Sequence, residues 1–245
     1  MSKHERVLLD GPAGAIEVFV EAPLQPTPGR PKSAETYSME RSEPLSPPSP
    51  GRGAGGWPIE GIALIAHPHP LFGGSADNKV VTTLAKAFRE LGCATLRPNF
   101  RGVGASAGGH DHGIAETDDL AAVHAYARAR FGAALPFYLG GFSFGAYVVT
   151  RLAKQLAEAG DPARRLVLVG TASGHVEGAR SYVTEAVAPD TIVIHGDRDA
   201  TVPLANVLAW AEPLELVVSV VPGADHFFHR KLHLIRRIIE AQWNR

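Results

Sequence analysis

A single cysteine, Cys93, in 245 residues excludes an internal disulfide, and its place in an apolar run marks a buried thiol rather than a reactive one. No stretch of about 18 apolar residues offers a membrane span. The first ten residues, Met-Ser-Lys-His-Glu-Arg-Val-Leu-Leu-Asp, lack the apolar centre of a signal peptide, so the expected location is the cytoplasm. Charge of one sign is missing too: 24 Lys and Arg face 25 Asp and Glu, a net charge of −1. That balance supplies no attraction to nucleic acid or to an acidic membrane. What remains is the profile of a soluble enzyme, one domain over 1–245 and long enough to bury about 70 per cent of its unfolded surface.

Proline is unevenly spread. Nine of the 19 prolines lie between Pro23 and Pro58, with Ser-Pro-Pro-Ser-Pro and Gly-Arg-Gly-Ala-Gly-Gly. Such a segment has too few bulky apolar side chains to offset its ordering entropy, so a flexible insertion is expected at about 24–56. Before it, Val7–Leu9 and Ile16–Val20 flank a Gly-Pro-Ala-Gly turn and read as a hairpin at a sheet edge. After it the pattern is regular. Strands at 61–66, 94–99, 136–139, 165–169, 191–195 and 215–221 alternate with helices at 78–91, 114–131, 144–159, 203–210 and 229–243. Strands alternating with helices predict an α/β fold, a mostly parallel central sheet with helices on both faces.

Between the apolar run ending at Leu139 and the helix beginning at Phe144 stands Gly141-Phe142-Ser143-Phe144-Gly145. A serine at the apex of a strand-turn-helix has a strained backbone, and a Cβ at either flanking glycine would collide with the neighbouring strand or helix. Its hydroxyl is exposed beside a backbone N–H able to hold an oxyanion. A serine needs an imidazole to take its proton and a carboxylate to orient that imidazole. Both occur downstream in strand-end loops: His195-Gly196-Asp197-Arg198-Asp199 after one strand, Asp225-His226-Phe227-Phe228 after the next. Ligands gather at the carboxyl ends of parallel strands, where all three loops fall. Spacing alone leaves Asp197 and Asp199 equally open.

These motifs resemble the α/β-hydrolase superfamily, and within it the small bacterial lidless serine hydrolases similar to dienelactone hydrolase. The resemblance extends over His67-Pro68-His69-Pro70-Leu71-Phe72-Gly73-Gly74 with Asp77-Asn78-Lys79-Val80, over Arg97-Pro98-Asn99-Phe100-Arg101-Gly102-Val103-Gly104-Ala105-Ser106, and over His226-Phe-Phe-His-Arg-Lys231. It implies an α/β-hydrolase fold, Ser143 as nucleophile, His226 as base and, by the second-carboxylate position of its HGxxD pattern, Asp199 as acid. Dienelactone hydrolases proper carry a cysteine nucleophile; serine stands here, so their substrate is not carried over. Phe144 N–H is the first expected oxyanion donor. The second comes in this fold from the loop after the strand at 61–66, where Pro68 and Pro70 have no N–H. His69 and Leu71 remain, with His69 favoured by analogy.

Only about twenty residues, 170 to 190, occupy the usual place of a cap, so a minimal cap or none is expected, leaving an open groove. Leu71, Phe72, Phe142, Phe144, Phe227 and Phe228 are expected around it, with Phe72, Phe142 and Phe227 touching substrate. The implied reaction is hydrolysis of a small carboxylic ester with no cofactor. Thioester or amide cleavage, acyl transfer to an alcohol, and a catalytically silent binding role share the same residues. His67-Pro-His69 and His110-Asp-His112 invite a metal reading, but neither spacing places two ligands on one helical face and no Cys or Glu cluster accompanies them, so no metal is expected. Arg97 and Arg101 are read as fixing loop geometry, and His229, Arg230 and Lys231 as a solvated face opening the last helix. Oligomeric state leaves no mark on the pattern.

Overall fold

The computed structural model describes residues 4–24, 58–178 and 180–243; the Pro-rich segment expected to be a flexible insertion lies almost wholly outside them. Ten strands, five α-helices and two 3-10 turns are seen among the described residues, in the order β1 (Glu5–Gly11), β2 (Gly14–Glu21), β3 (Gly61–Ala66), the turn Pro70–Phe72, α1 (Lys79–Glu90), β4 (Cys93–Pro98), α2 (Ile114–Phe131), β5 (Phe137–Phe142), α3 (Phe144–Glu158), β6 (Arg165–Val169), β7 (Gly174–Val176), β8 (Arg180–Tyr182), β9 (Ile192–Gly196), α4 (Leu204–Ala211), the turn Glu212–Leu214, β10 (Val218–Val221) and α5 (Leu232–Gln242).

Eight strands form one sheet in the order β1-β2-β4-β3-β5-β6-β9-β10. β1 and β2 pair antiparallel, β2 meets β4 antiparallel, and the remaining pairs are parallel. The inner strands are apolar on both faces because helices cover both. In β3, Ile62, Leu64 and Ala66 join the layer under α2 and α3, while Ala63 and Ile65 join the layer under α1 and α5. Fully burying one such Leu or Ile contributes about 1.5–3 kcal/mol.

The ends of the elements have local causes. Asn78 caps α1, its Oδ1 accepting the Val80 N–H at 2.9 Å. The Glu116 carboxylate turns back to accept from Gly113 and Asp111 N–H, each at 2.8 Å, and closes the start of α2. β5 runs three residues beyond the expected Leu139, through Gly140 and Gly141. There a Cβ on Gly140 would lie 3.0 Å from the Phe88 ring, and one on Gly141 2.5 Å from Ala146 Cα.

Three expectations are corrected. The last helix begins at Leu232 rather than 229, because Phe228 and Arg230 are left-handed at φ 53° and 61°; His229, Arg230 and Lys231 form the turn before it. β10 begins at Val218, since Glu215 is left-handed at φ 53° after the turn Glu212–Leu214. The segment between β6 and β9 is more than a connection: β7 and β8 pair antiparallel in a separate hairpin, with Gly174 opposite Tyr182 and Val176 opposite Arg180.

Candidate active site

Four loops converge at the carboxyl ends of parallel strands: 67–72 after β3, the turn after β5, 197–203 after β9 and 222–228 after β10. Ser143 occupies the turn between β5 and α3 at φ 57° and ψ −120°, a conformation costing a non-glycine residue of order 1–3 kcal/mol. Its surroundings hold it there. Ser143 N–H donates to Val169 O at 2.9 Å, and its carbonyl accepts from Tyr147 N–H at 3.2 Å and Ala172 N–H at 3.3 Å. The glycines are required by contact rather than by their own dihedrals. A Cβ on Gly145 would fall on the carbonyl oxygens of Ala66 and His67, as one on Gly141 would fall on the first turn of α3.

Serine is a preferred helix N-cap, yet the Ser143 hydroxyl makes no capping bond. It lies instead 2.9 Å from His226 Nε2, and His226 Nδ1 lies 2.7 Å from Asp199 Oδ2. All three side chains are buried. The other oxygen of Asp199 accepts Val202 N–H at 2.7 Å and Thr201 N–H at 3.0 Å, so four contacts fix the carboxylate and the imidazole together. A carboxylate beside Nδ1 selects the tautomer with hydrogen there, leaving Nε2 free to accept from the hydroxyl. Asp197 faces elsewhere and accepts the Gly223 N–H, bracing the turn after β10. His195, wholly buried, donates from Nε2 to Val202 O at 3.0 Å and passes 3.5 Å from Asp199 Oδ2; burial lowers its pKa.

The loop after β3 is pinned through His67. Its Nδ1 lies 2.7 Å from Pro68 O, and Nε2 accepts Phe100 N–H at 2.8 Å, which ties this loop to the one after β4. Burial holds His67 neutral, its pKa lowered to about 4. His69 N–H has no acceptor among the described residues, and neither has Phe144 N–H, the first of α3. Leu71 N–H is already committed to His69 Nδ1 at 3.3 Å. The His69 ring is packed among Phe72, His110 and Phe144 at centroid distances of 4.9, 4.4 and 4.9 Å. Burial first, then the charges of His110, Arg180 and His112, lower its pKa to about 4.

The aromatic residues divide. Phe72 and Phe227 are 67% and 45% exposed, and Leu71 stands beside Phe72 at the rim. Phe142, expected to touch substrate, is corrected: it has no exposed surface, and its ring backs His226 at 4.9 Å. Phe144 and Phe228 are buried as well. Arg97 and Arg101 are spent on structure. Arg97 pairs with Glu21 at 3.1 Å and donates to Ala76 O, and Arg101 grips Asp119 with two bonds of 2.8 Å. Among the described residues no group of three or more His, Cys, Asp or Glu is arranged to hold a metal ion, and no helix is long and apolar enough to cross a membrane. The β7–β8 hairpin is the part of the site that sequence reasoning missed, together with His110, whose Nδ1 lies 2.8 Å from the buried Glu116 carboxylate.

Known proteins share this architecture. A family model described as thioesterase domain matches residues 81–238. The uncharacterized protein RP471 of Rickettsia prowazekii (strain Madrid E) is 33% identical over 180 residues, 69% of this chain and 73% of that protein. The crystal structure of XC6422 from Xanthomonas campestris, described as a member of the a/b serine hydrolases without lid, is 33% identical and superposes with a TM-score of 0.72 over 99% of this chain and 94% of that one. An alpha-beta serine hydrolase homologue from Coxiella burnetii is 33% identical, with a TM-score of 0.71 and 98% of both chains covered.

Proposed function

The chain belongs to the α/β-hydrolase superfamily, to its thioesterase-domain family and its lidless serine hydrolases, and from that premise we propose that it cleaves small carboxylic esters with Ser143 as nucleophile, His226 as base and Asp199 as acid. The observation that carries this reading is the continuous path Ser143 Oγ, His226, Asp199, with contacts of 2.9 and 2.7 Å. Ser143 attacks the ester carbonyl as its proton passes to His226 Nε2. Asp199 stabilises the resulting imidazolium, and the C–O bond to the alcohol breaks as the alcohol takes that proton. Water then repeats the route on the acyl-enzyme, giving the acid and restoring the serine. Phe144 N–H and His69 N–H are the oxyanion donors, each typically worth about 3 kcal/mol of barrier. Leu71 N–H is the weaker candidate, being bonded to His69. Phe72 and Phe227 offer exposed apolar surface to an acyl or alcohol group. The protein needs no cofactor for this chemistry.

Thioester cleavage is a second reading, favoured by the matching thioesterase-domain model. The same residues serve it, and only the leaving group differs. Matched p-nitrophenyl ester and acyl thioester substrates decide between the two, with the Ser143→Ala variant as control. Ester turnover that falls at least about 10⁴-fold in the variant supports the proposal. Turnover unchanged by that substitution removes Ser143 from the mechanism.

A further inference from the structure

We infer that the groove carries, on its His69 side, a subsite for an anionic group of the substrate, a carboxylate or a phosphate, with Arg180 as its binding residue. The inference rests on the serine hydrolase reading and adds a substrate class to it. Arg180 opens β8, and Arg180 and Tyr182 share one face of that strand. Tyr182 packs its ring 5.0 Å from Tyr147 and 6.0 Å from Phe144, the residue after the nucleophile, so this face of the hairpin is turned toward the site. The Arg180 guanidinium accordingly lies over the exposed ring of Phe72, its carbon 4.3 Å from the centroid, and Phe72 in turn meets His69.

The guanidinium is held but not neutralised. Nε and Nη2 donate to Glu177 O at 3.0 and 2.8 Å and the guanidinium also hydrogen-bonds the Tyr182 side chain, all neutral partners, while no carboxylate among the described residues lies within ion-pair reach. Arg89, Arg97, Arg101, Arg128 and Arg236 each have a carboxylate partner. Nearby acids are committed elsewhere. Glu116 is fully buried and accepts from Asp111 and Gly113 N–H, Asp111 accepts from Ala115 N–H at 3.2 Å, and the Glu177 carboxylate accepts from Thr201 at 3.4 Å. The rings of His110 and His112, with centroids 4.9 Å apart, continue from His69. A guanidinium whose plane is fixed on an aromatic ring, and whose partners among the described residues are a carbonyl and a hydroxyl rather than a carboxylate, keeps its charge and is preorganised for a carboxylate or phosphate oxygen. Because the side chain is already ordered, binding an anion there sacrifices little rotamer freedom.

The test compares p-nitrophenyl hemiglutarate, which carries a free carboxylate, with p-nitrophenyl valerate of the same chain length. The wild-type protein is expected to prefer the anionic ester at least tenfold in kcat/KM, with the preference weakening at high salt. Arg180→Leu is expected to lower that preference tenfold or more through KM of the anionic ester, and Arg180→Lys to fall between. Thermal melting of each variant confirms that it is folded. An equal preference in wild type and Arg180→Leu overturns the inference while leaving Ser143-dependent turnover of the valerate untouched. Titration of the Ser143→Ala protein with glutarate and with inorganic phosphate gives an answer independent of turnover. Binding of either that Arg180→Leu abolishes supports the subsite and tells which anion fits it, and binding of neither overturns it. Failure of the hydrolase reading shows separately, as no Ser143-dependent turnover of either ester.

Discussion

Gly145 lies so close to Ala66 that a Cβ on the glycine would come within 2.4 Å of the alanine's carbonyl oxygen. This contact seats the start of α3 on the end of β3 and sets Ser143 beside the loop that carries His69. Gly145→Ala therefore has to push the helix from the sheet. Overpacking of this kind costs about 1–3 kcal/mol, read as a lower urea midpoint, and the displaced serine is expected to lose at least tenfold in kcat on p-nitrophenyl esters. Wild-type activity with a normal midpoint contradicts this role.

The two carboxylates of the β9 loop are expected to separate cleanly. Asp199 reaches His226 and Asp197 reaches the Gly223 N–H. Asp199→Asn presents an amide where the imidazole needs an acceptor, and kcat is expected to fall by about 10³–10⁴. Asp197→Asn is expected to stay within a few-fold of wild type in kcat. Steady-state kinetics on one ester measures both, and the reverse order of effects transfers the role to Asp197.

Arg97 tests whether the basic residues after β4 bind substrate or hold the loop. It pairs with Glu21 in a nearly closed environment. Arg97→Met leaves that carboxylate paired with Arg89 but removes a buried hydrogen bond to a charged group, and is expected to cost about 1.5–3 kcal/mol of unfolding free energy. KM is expected to remain unchanged. A raised KM with normal stability contradicts the structural assignment.

The sheet, its helices and the three strand-end loops were legible because the inner strands are short, mainly apolar runs followed by loop-forming residues, as at Gly61–Ala66 before His67-Pro68 and at Thr191–Ile194 before His195-Gly196-Asp197. Phe142 was misread because Gly140 and Gly141 looked like the turn, whereas they continue β5 under Phe88 and Ala146 and carry Phe142 into the core. The β7–β8 hairpin escaped notice since three-residue strands, Gly-His-Val and Arg-Ser-Tyr, are too short for alternation to register. With it went the position of Arg180, which depends on how that hairpin meets the turn Pro70–Phe72. No spacing rule links His110 to His69, 41 positions earlier in the chain; the fold joins them by packing the two rings against each other and both against Phe144.

Acid stability follows from His67. Its pKa is lowered from 6.5 to about 4 by burial, so the folded protein keeps the ring neutral where the unfolded chain binds a proton. The sign is that of a depressed base: the His67 contribution is complete above pH 6.5 and is lost as pH falls from there toward 4, by roughly 3 kcal/mol over the window. His67→Asn removes the titrating group. The difference in urea stability between wild type and His67→Asn is expected to shrink from pH 7.5 to pH 4.5, and a constant difference contradicts the assignment.

The central claim is that Ser143 is an activated nucleophile, and labelling of the folded protein with a fluorophosphonate, followed by peptide mass mapping, tests it most directly. The account predicts one adduct, on Ser143, absent from heat-denatured protein and strongly slowed in Asp199→Asn. A folded protein that takes no label at Ser143, or takes it equally after denaturation, contradicts the account.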